Sequence, residues 1–428
     1  MRISYNALRK MMLFLLAAVI LVWSIASPVL ASSDTSAENQ AETQTDTEEQ
    51  TEAETEEESE PETEAPLEFE SIAETALLME FSTGKILYEK NADVPMPPAS
   101  ITKIMTLLLG FEAIERGEAD WDDMVLVSEK AWRETGSVMF LLVDTQVPLR
   151  DIITGISVVS ANDGCVALAE HLNGTVESFV RLMNNRAKEL GLTNTQFKNP
   201  HGLPAEGHYM SARDIAVLAR YLIDKFPEIL EIESTREFTF NDVLQFNRNP
   251  LLGVYPGADG LKTGRTDEAG YCLVGTAMQN GMRMISVVLR TESDEERLAA
   301  SRELLDYGFH NFEFAEAVSE GDIVGEVNIK SGKDLTVPIK IDQSATVLIP
   351  KGRDGDIKVS LSVKDDPIFA PVEAETEIGE AEIRLDDELL ATVKISTAKG
   401  VEKAGFFELI WREIVNFFKS LFQISTEG

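Results

Sequence analysis

The sequence predicts an α/β (α+β) sandwich, an antiparallel sheet flanked by helices, followed by a small all-β domain and an amphipathic C-terminal helix. Three observations carry that reading. Strand patterns cluster at both ends of residues 71–312, with helical patterns between them, as expected of helices layered on an antiparallel sheet. Residues 313–395 change to short alternating apolar segments separated by Gly and Asp, the mark of an all-β module. From Phe406 onward, apolar residues recur in steps of three and four, which makes a one-sided helix.

Composition sets the outer limits. A chain of 428 residues suggests two or three domains, and 44% hydrophobic residues can fill large cores. With 38 Lys+Arg against 74 Asp+Glu, the net charge is −36, which argues against nucleic acid as a partner. Two cysteines rule out a disulfide-stapled scaffold. The four histidines, none three or four residues from another, do not suggest a zinc site. No metal and no other cofactor is expected.

In chain order, residues 1–31 read as a secretory signal. Arg2, Arg9 and Lys10 precede an apolar run that ends before Ser27-Pro28-Val29-Leu30-Ala31, with cleavage expected after Ala31. The run is also long enough to remain as an uncleaved anchor. Either way, the remainder is expected to work outside the cytoplasm, on the outer face of the membrane or in the wall. Residues 32–70 hold sixteen Asp/Glu and no Lys or Arg. Such a stretch cannot offset its ordering entropy by burial and is expected to be a disordered, self-repelling linker.

Within 71–312, Ala76–Glu80 and Lys85–Glu89 flank Ser82-Thr83-Gly84 and suggest a hairpin. Ile101–Glu115 is an apolar helix closed by Gly117. Gly164–Leu172, Val176–Leu190 and Ser211–Leu222 also read as helices. Tyr271–Ala277 and Met282–Leu289 are strands joined around Asn280-Gly281, a strong hairpin signal. Asp294–Tyr307 returns to helical spacing. The module at 313–395 contains no catalytic set and is expected to space or orient the domain before it. Residues 396–428 carry the terminal helix. Phe407, Ile410, Trp411, Ile414, Phe417, Phe418 and Leu421 fall on one face. Four charges in this length exclude a spanning helix, so the expectation is a helix lying in the membrane interface. Packing on its own domain is the competing reading.

Three short motifs carry the chemistry. Ser100-Ile101-Thr102-Lys103 follows Pro97-Pro98-Ala99. Prolines suit a helix entry, so Ser100 is placed in the first turn, where free N–H groups favour developing negative charge. Lys103 follows one turn later on the same face. A serine hydroxyl needs an adjacent base, and a lysine can serve when burial and a nearby cation lower its pKa. The spacing alone is weak: Ser396-Thr397-Ala398-Lys399, in the expected linker before the terminal helix, matches it too. Ser160-Ala161-Asn162 ends the apolar run Ile152–Val159. It could present two polar side chains to a cleft, and the competing reading is an N-cap at Asn162-Asp163. Lys262-Thr263-Gly264 begins an apolar strand. Regular alternation would put Lys262 and Gly264 on one face and Thr263 on the other, and Gly264 would admit a ligand close to the backbone.

Together these motifs, sixty and then about a hundred residues apart, resemble those of the serine-type D-alanyl-D-alanine carboxypeptidases, the low-molecular-mass penicillin-binding proteins. That family shares its motifs with the class A β-lactamases. The resemblance covers about residues 71–395 and extends to His201-Gly202-Leu203-Pro204 and Gly270-Tyr271. It implies that Ser100 attacks the carbonyl between two D-alanines of a peptidoglycan stem peptide, that Lys103 takes the serine proton, and that Ser160 relays a proton to the leaving amine. It also implies substrate binding by Asn162, Lys262, Thr263 and Gly264, with Arg297 on the terminal carboxylate. The backbone N–H groups of Ser100 and Arg265 would stabilise the oxyanion. β-Lactams are the implied covalent inhibitors, and cell-wall peptidoglycan the implied setting. Arg265 departs from the His that relatives often carry there.

Two alternatives stand beside this reading. A β-lactamase of the same fold would need a Glu-x-x-Leu-Asn loop, which is absent between Asn162 and Lys262. A non-catalytic wall-binding or sporulation factor would have no chemical reason to keep Ser100, Lys103 and Lys262. Cys165 and Cys272 are expected to be buried small hydrophobes, and His201 and His208 to make loop hydrogen bonds.

Overall fold

A computed structural model of the chain describes residues 70–365 and 367–423. The expected signal segment, and all of the acidic linker except Glu70, lie outside the described residues. Strands β1 (Thr75–Glu80) and β2 (Ile86–Lys90) form the expected hairpin. Its turn is closed by the Glu80 carboxylate, which accepts from the N–H groups of Ser82 and Thr83 at 2.8 and 2.7 Å. A 3₁₀ turn, Ala99–Thr102, then leads into α1 (Lys103–Glu115). Ser100 therefore sits in a 3₁₀ turn, not in the α-helix itself. Ala99 has φ +47°, a left-handed conformation that no α-helix continues through.

Next come β3 (Met124–Leu126), the short α2 (Glu129–Trp132) and β4 (Gln146–Pro148), with β3 and β4 paired as a small hairpin. Helices α3 (Leu149–Val158) and α4 (Asn162–Asn173) are joined by Val159-Ser160-Ala161. They are followed by α5 (Val176–Glu189), α6 (Ala212–Lys225) and α7 (Ile229–Glu233). A second hairpin, β5 (Glu237–Phe240) and β6 (Val243–Phe246), precedes β7 (Ala258–Thr266), β8 (Gly270–Gln279), β9 (Met282–Thr291) and α8 (Asp294–Asn311).

The main sheet runs β2-β1-β9-β8-β7, antiparallel throughout. The chain turns from β8 to β9 at Asn280 and Gly281, with φ +49° and +79°, the two positive values that this tight turn needs. One face of the sheet packs on the helical core through Leu77, Val274, Ile285 and Val287. The other face meets α8 through Leu78, Met284, Val288 and Leu304. Because β7 is the last strand, its free edge lies against the 3₁₀ turn that carries Ser100.

The remaining strands are β10 (Phe312–Val318), β11 (Ile323–Lys330), β12 (Thr336–Ile341), β13 (Ala345–Pro350), β14 (Ile357–Val363), β15 (Ile368–Phe369), β16 (Glu377–Leu385) and β17 (Glu388–Thr397). They enclose a second core of Val337, Ile339, Ile341, Ile383 and Ile395. The Ser396 and Lys399 pattern does not lie in a linker. Ser396 and Thr397 close β17, paired to β12, because their backbone completes the ladder. Ser396 donates to Asp342 at 2.5 Å and Lys399 pairs with Asp334 at 2.8 Å, so the two side chains do not meet. Finally, α9 (Phe406–Gln423) ends the described chain. Arg412 fixes one side of it by donating to the carbonyl of Gly332 at 2.7 Å. No described helix is long and apolar enough to cross a membrane.

Candidate active site

The 3₁₀ turn and the first turn of α1 set Ser100 and Lys103 side by side. Lys103 Nζ lies 2.9 Å from Ser100 Oγ, 2.8 Å from Asn162 Oδ1 and 2.6 Å from the carbonyl of His201. The lysine is fully buried. Burial first, then the cations Lys262 and Arg248, push its pKa down to about 7. Nearby Cys165, pushed up to about 12 by its own burial, is uncharged at neutral pH and offers no counter-ion. The three contacts define the neutral amine's orientation. Its two N–H bonds must go to the two carbonyl oxygens, which can only accept. The lone pair is then left facing the Ser100 hydroxyl, as a general base requires.

Ser160 occupies the bend between α3 and α4 with φ +62°, a costly conformation for a non-glycine residue and one that clusters at functional sites. Its Oγ is buried without a hydrogen-bond partner, yet Ser160 lines the cleft. Asn162 is not an N-cap. Ala161 holds that position and makes no side-chain cap. The Asn162 amide instead bridges Lys103 and the carbonyl of Thr135, to which its Nδ2 donates at 2.6 Å. Asp163 is also diverted from capping: its carboxylate accepts from the N–H groups of Met139 and Leu141, both at 3.0 Å, and so ties down the loop over the cleft.

The third wall is β7. Thr263, Gly264 and Arg265 line a cleft of about 230 Å³ together with Ser100, Ser137 and Ser160. Lys262 and Thr263 are both buried, with β7 in regular register on β8 from Gly260 to Thr266. Gly264 also gives room to the turn that carries Ser100. A Cβ there would come within 3.0 Å of the Pro98 carbonyl and 3.2 Å of Ala99 Cβ, so the missing side chain admits the nucleophile's own turn. Arg297, at the start of α8, is buried against the cleft; it pairs with Asp294 and lies over the Tyr271 ring, 5.6 Å from its centroid. Arg265 is half exposed and stacks on the same ring at 5.1 Å.

The structure adds Arg248, Ser137, Tyr271 and Asp294 to the lining. Arg248 lies in the loop between β6 and β7, where no periodicity or motif marks it. His201 enters through its main-chain oxygen, which a side-chain pattern cannot reveal. Burial pushes the rings of His201 and His208 down to about 3 and about 4, so both are neutral. His208 Nε2 donates to Thr102 Oγ1 at 2.9 Å, and its Nδ1 accepts from the N–H of Lys198 at 3.3 Å. Cys165 and Cys272 are buried free thiols.

Known proteins resemble this chain in sequence and fold. Residues 59–293 match the family described as D-alanyl-D-alanine carboxypeptidase, and residues 312–403 match penicillin-binding protein 5, C-terminal domain. The chain is 38% identical over 353 residues to D-alanyl-D-alanine carboxypeptidase DacF of Bacillus subtilis, covering 81% of this chain and 90% of that protein. The crystal structure of penicillin binding protein 5 from Haemophilus influenzae superposes with a TM-score of 0.67 at 36% identity, over 79% of this chain and 100% of that one. Penicillin-binding protein D2 from Listeria monocytogenes, in its ampicillin-bound form, gives 0.53 at 35% identity, over 57% of this chain and 99% of that one.

Proposed function

This chain belongs to the D-alanyl-D-alanine carboxypeptidase family, and from that membership we propose how its cleft divides the work. The protein is a penicillin-binding serine D,D-carboxypeptidase acting on peptidoglycan stems that end in D-Ala-D-Ala. The observation that carries the assignment of roles is the buried Lys103 amine, its two N–H bonds taken by carbonyls and its third contact 2.9 Å from Ser100 Oγ.

Lys103 takes the hydroxyl proton as Ser100 Oγ attacks the carbonyl between the two D-alanines. The oxyanion rests on the backbone N–H groups of Ser100 and Arg265. The C–N bond then breaks as Ser160, whose hydroxyl has no other partner, passes its proton to the leaving amine and takes in its place the proton held by Lys103, which returns to the neutral amine. Thr263 and Arg297 hold the terminal carboxylate, Lys262 supplies positive charge behind it, and Asn162 keeps Lys103 in place. After D-alanine leaves, water attacks the acyl-enzyme with Lys103 again as base, and the Ser100 hydroxyl is restored. The test is D-alanine release from a pentapeptide. Wild type should release it, and Ser100→Ala should release none; release by the alanine variant contradicts the assignment.

The setting follows from the ends of the chain. The expected signal supports action outside the cytoplasmic membrane, and α9 supports attachment to the membrane surface. Phe407 and Trp411 are 85% and 66% exposed, while Arg412 is turned toward the β module. Large aromatics left in water on one helix face suit a lipid interface. Phe407→Glu together with Trp411→Glu is expected to weaken vesicle binding about 100-fold, read by co-sedimentation. Unchanged sedimentation with lipid contradicts that attachment.

A further inference from the structure

One buried ionisable group plays no part in the scheme above. Glu233 ends α7, which packs between α3 and β7. It is 1% exposed, and neither carboxylate oxygen has a hydrogen-bond partner. A buried carboxyl left in that state is costly and calls for an explanation. From α3, the uncharged Ser157 hydroxyl faces it, outside full hydrogen-bond geometry but near enough to favour the ionised form weakly. From the segment after β6, Asn247 donates to the main-chain oxygens of Glu233 and Thr235, at 2.8 and 2.9 Å, and not to the carboxylate. From β7 the charged group acting on it is Lys262. The approach there is close: a Cβ on Gly260, two residues before Lys262, would lie 3.8 Å from Glu233 Cβ.

The surroundings of Lys262 complete the argument. It is 2% exposed, and its Nζ has one weak bond, to the carbonyl of Thr263 at 3.3 Å. Arg248 faces it from the β6–β7 loop, Arg297 from α8 and Lys103 from α1, all basic groups. Cys165 faces it from α4 as a neutral thiol. Glu233 is the carboxylate among the groups that act on it. A buried ammonium crowded by cations sheds its proton unless a counter-charge stands close by.

We infer that Glu233 is a positioning residue for Lys262: its carboxylate, behind β7, keeps the lysine an ammonium so that an incoming carboxylate meets a cation in the cleft. The effect acts through space, since the two groups close no direct ion pair. Burial lowers the pKa of Lys262 to about 8 and raises that of Glu233 to about 8, and each charge opposes the shift of the other, so the carboxylate acts on the alkaline side of neutrality, where Lys262 would otherwise lose its proton. Removing the carboxylate therefore lets Lys262 deprotonate at lower pH. The alkaline limb of the pH profile therefore moves down. The inference rests on the role given to Lys262 above.

The test is the second-order rate of acylation by benzylpenicillin from about pH 5 to about pH 10, with mass spectrometry locating the adduct. Glu233→Gln and Glu233→Thr should both bring the alkaline limb down by about one pH unit, although they differ in shape. Glu233→Asp, which keeps the charge, should hold the limb near its wild-type position. If either neutral variant fails to fold, the other still reports the limb against Asp. Should the limb stay fixed in the neutral variants, or should all three variants lose rate equally at every pH, Glu233 is a packing residue and the inference is overturned. A wild-type enzyme carrying its adduct elsewhere than Ser100 overturns the underlying assignment first, and this inference with it.

Discussion

Replacing Lys103 with methionine should slow acylation of Ser100 by roughly 10⁴-fold. Methionine keeps the buried length and apolar stem but has no lone pair for the hydroxyl proton. It also strands the carbonyl of His201 and the Asn162 oxygen, which now accept from Nζ, at a cost of about 1–3 kcal/mol each. The melting temperature should therefore fall as well, but the fold should survive. The pH dependence separates the chemical role from the structural one. In wild type, burial and the neighbouring cations hold Lys103 at about 7. Below that value the amine is protonated and cannot act as base, so the rate should fall about tenfold per pH unit. Above it the rate should level off until the alkaline limb. The residual rate of the methionine variant should show no acid limb there. A variant that keeps the limb near pH 7 would assign the titration to another group.

Gly202→Ala should damage stability and rate together. Gly202 has φ +89°, and a Cβ there would lie 1.8 Å from the Ala99 carbonyl oxygen and 2.9 Å from Thr102 Oγ1. The Ala99 backbone and the Thr102 hydroxyl block the methyl, so the chain at Ala99 or at Gly202 must move. Ala99 precedes the nucleophile, and His201 supplies the carbonyl that orients Lys103. Either displacement opens the Ser100–Lys103 geometry. Clash and left-handed strain together should cost about 3 kcal/mol or more, and a shift of about 1 Å at the reacting groups about 100-fold in acylation rate. Gly191→Ala is the control. It also has positive φ, +74°, but open space around the missing side chain. It should cost about 1 kcal/mol and leave acylation unchanged. Equal losses in both variants would show that strain alone, and not the contact with Ala99, is responsible.

The contrast between these residues explains what the sequence makes visible. Ser100 and Lys103 stand out because two prolines fix a helix entry and a three-residue spacing fixes a shared face. Both are local rules. The β8–β9 hairpin is read from Asn280-Gly281 for the same reason. What local rules miss is how distant segments meet. Asn162 looks like a capping residue until α4 packs beside α1 and Lys103 claims its amide. Gly264 suggests room for a ligand, and its own residues do not show that the turn of Pro98 and Ala99 also comes close to it. That β7 is the edge strand of the sheet is a fact of strand order that its own residues do not encode. Arg248 and Glu233 belong to no motif. Each acquires its meaning from the electrostatics of the assembled cleft, and so does the His201 carbonyl, a main-chain atom.

The central claim is that one hydroxyl, made reactive by a neutral amine one turn away, is the enzyme's nucleophile. Peptide mapping by mass spectrometry after exposure to benzylpenicillin addresses it most directly. The expected result is a single penicilloyl adduct on the peptide containing Ser100, missing in Ser100→Ala and formed far more slowly in Lys103→Met. An adduct on any other residue, or equal labelling of the Ser100→Ala protein, would contradict the account.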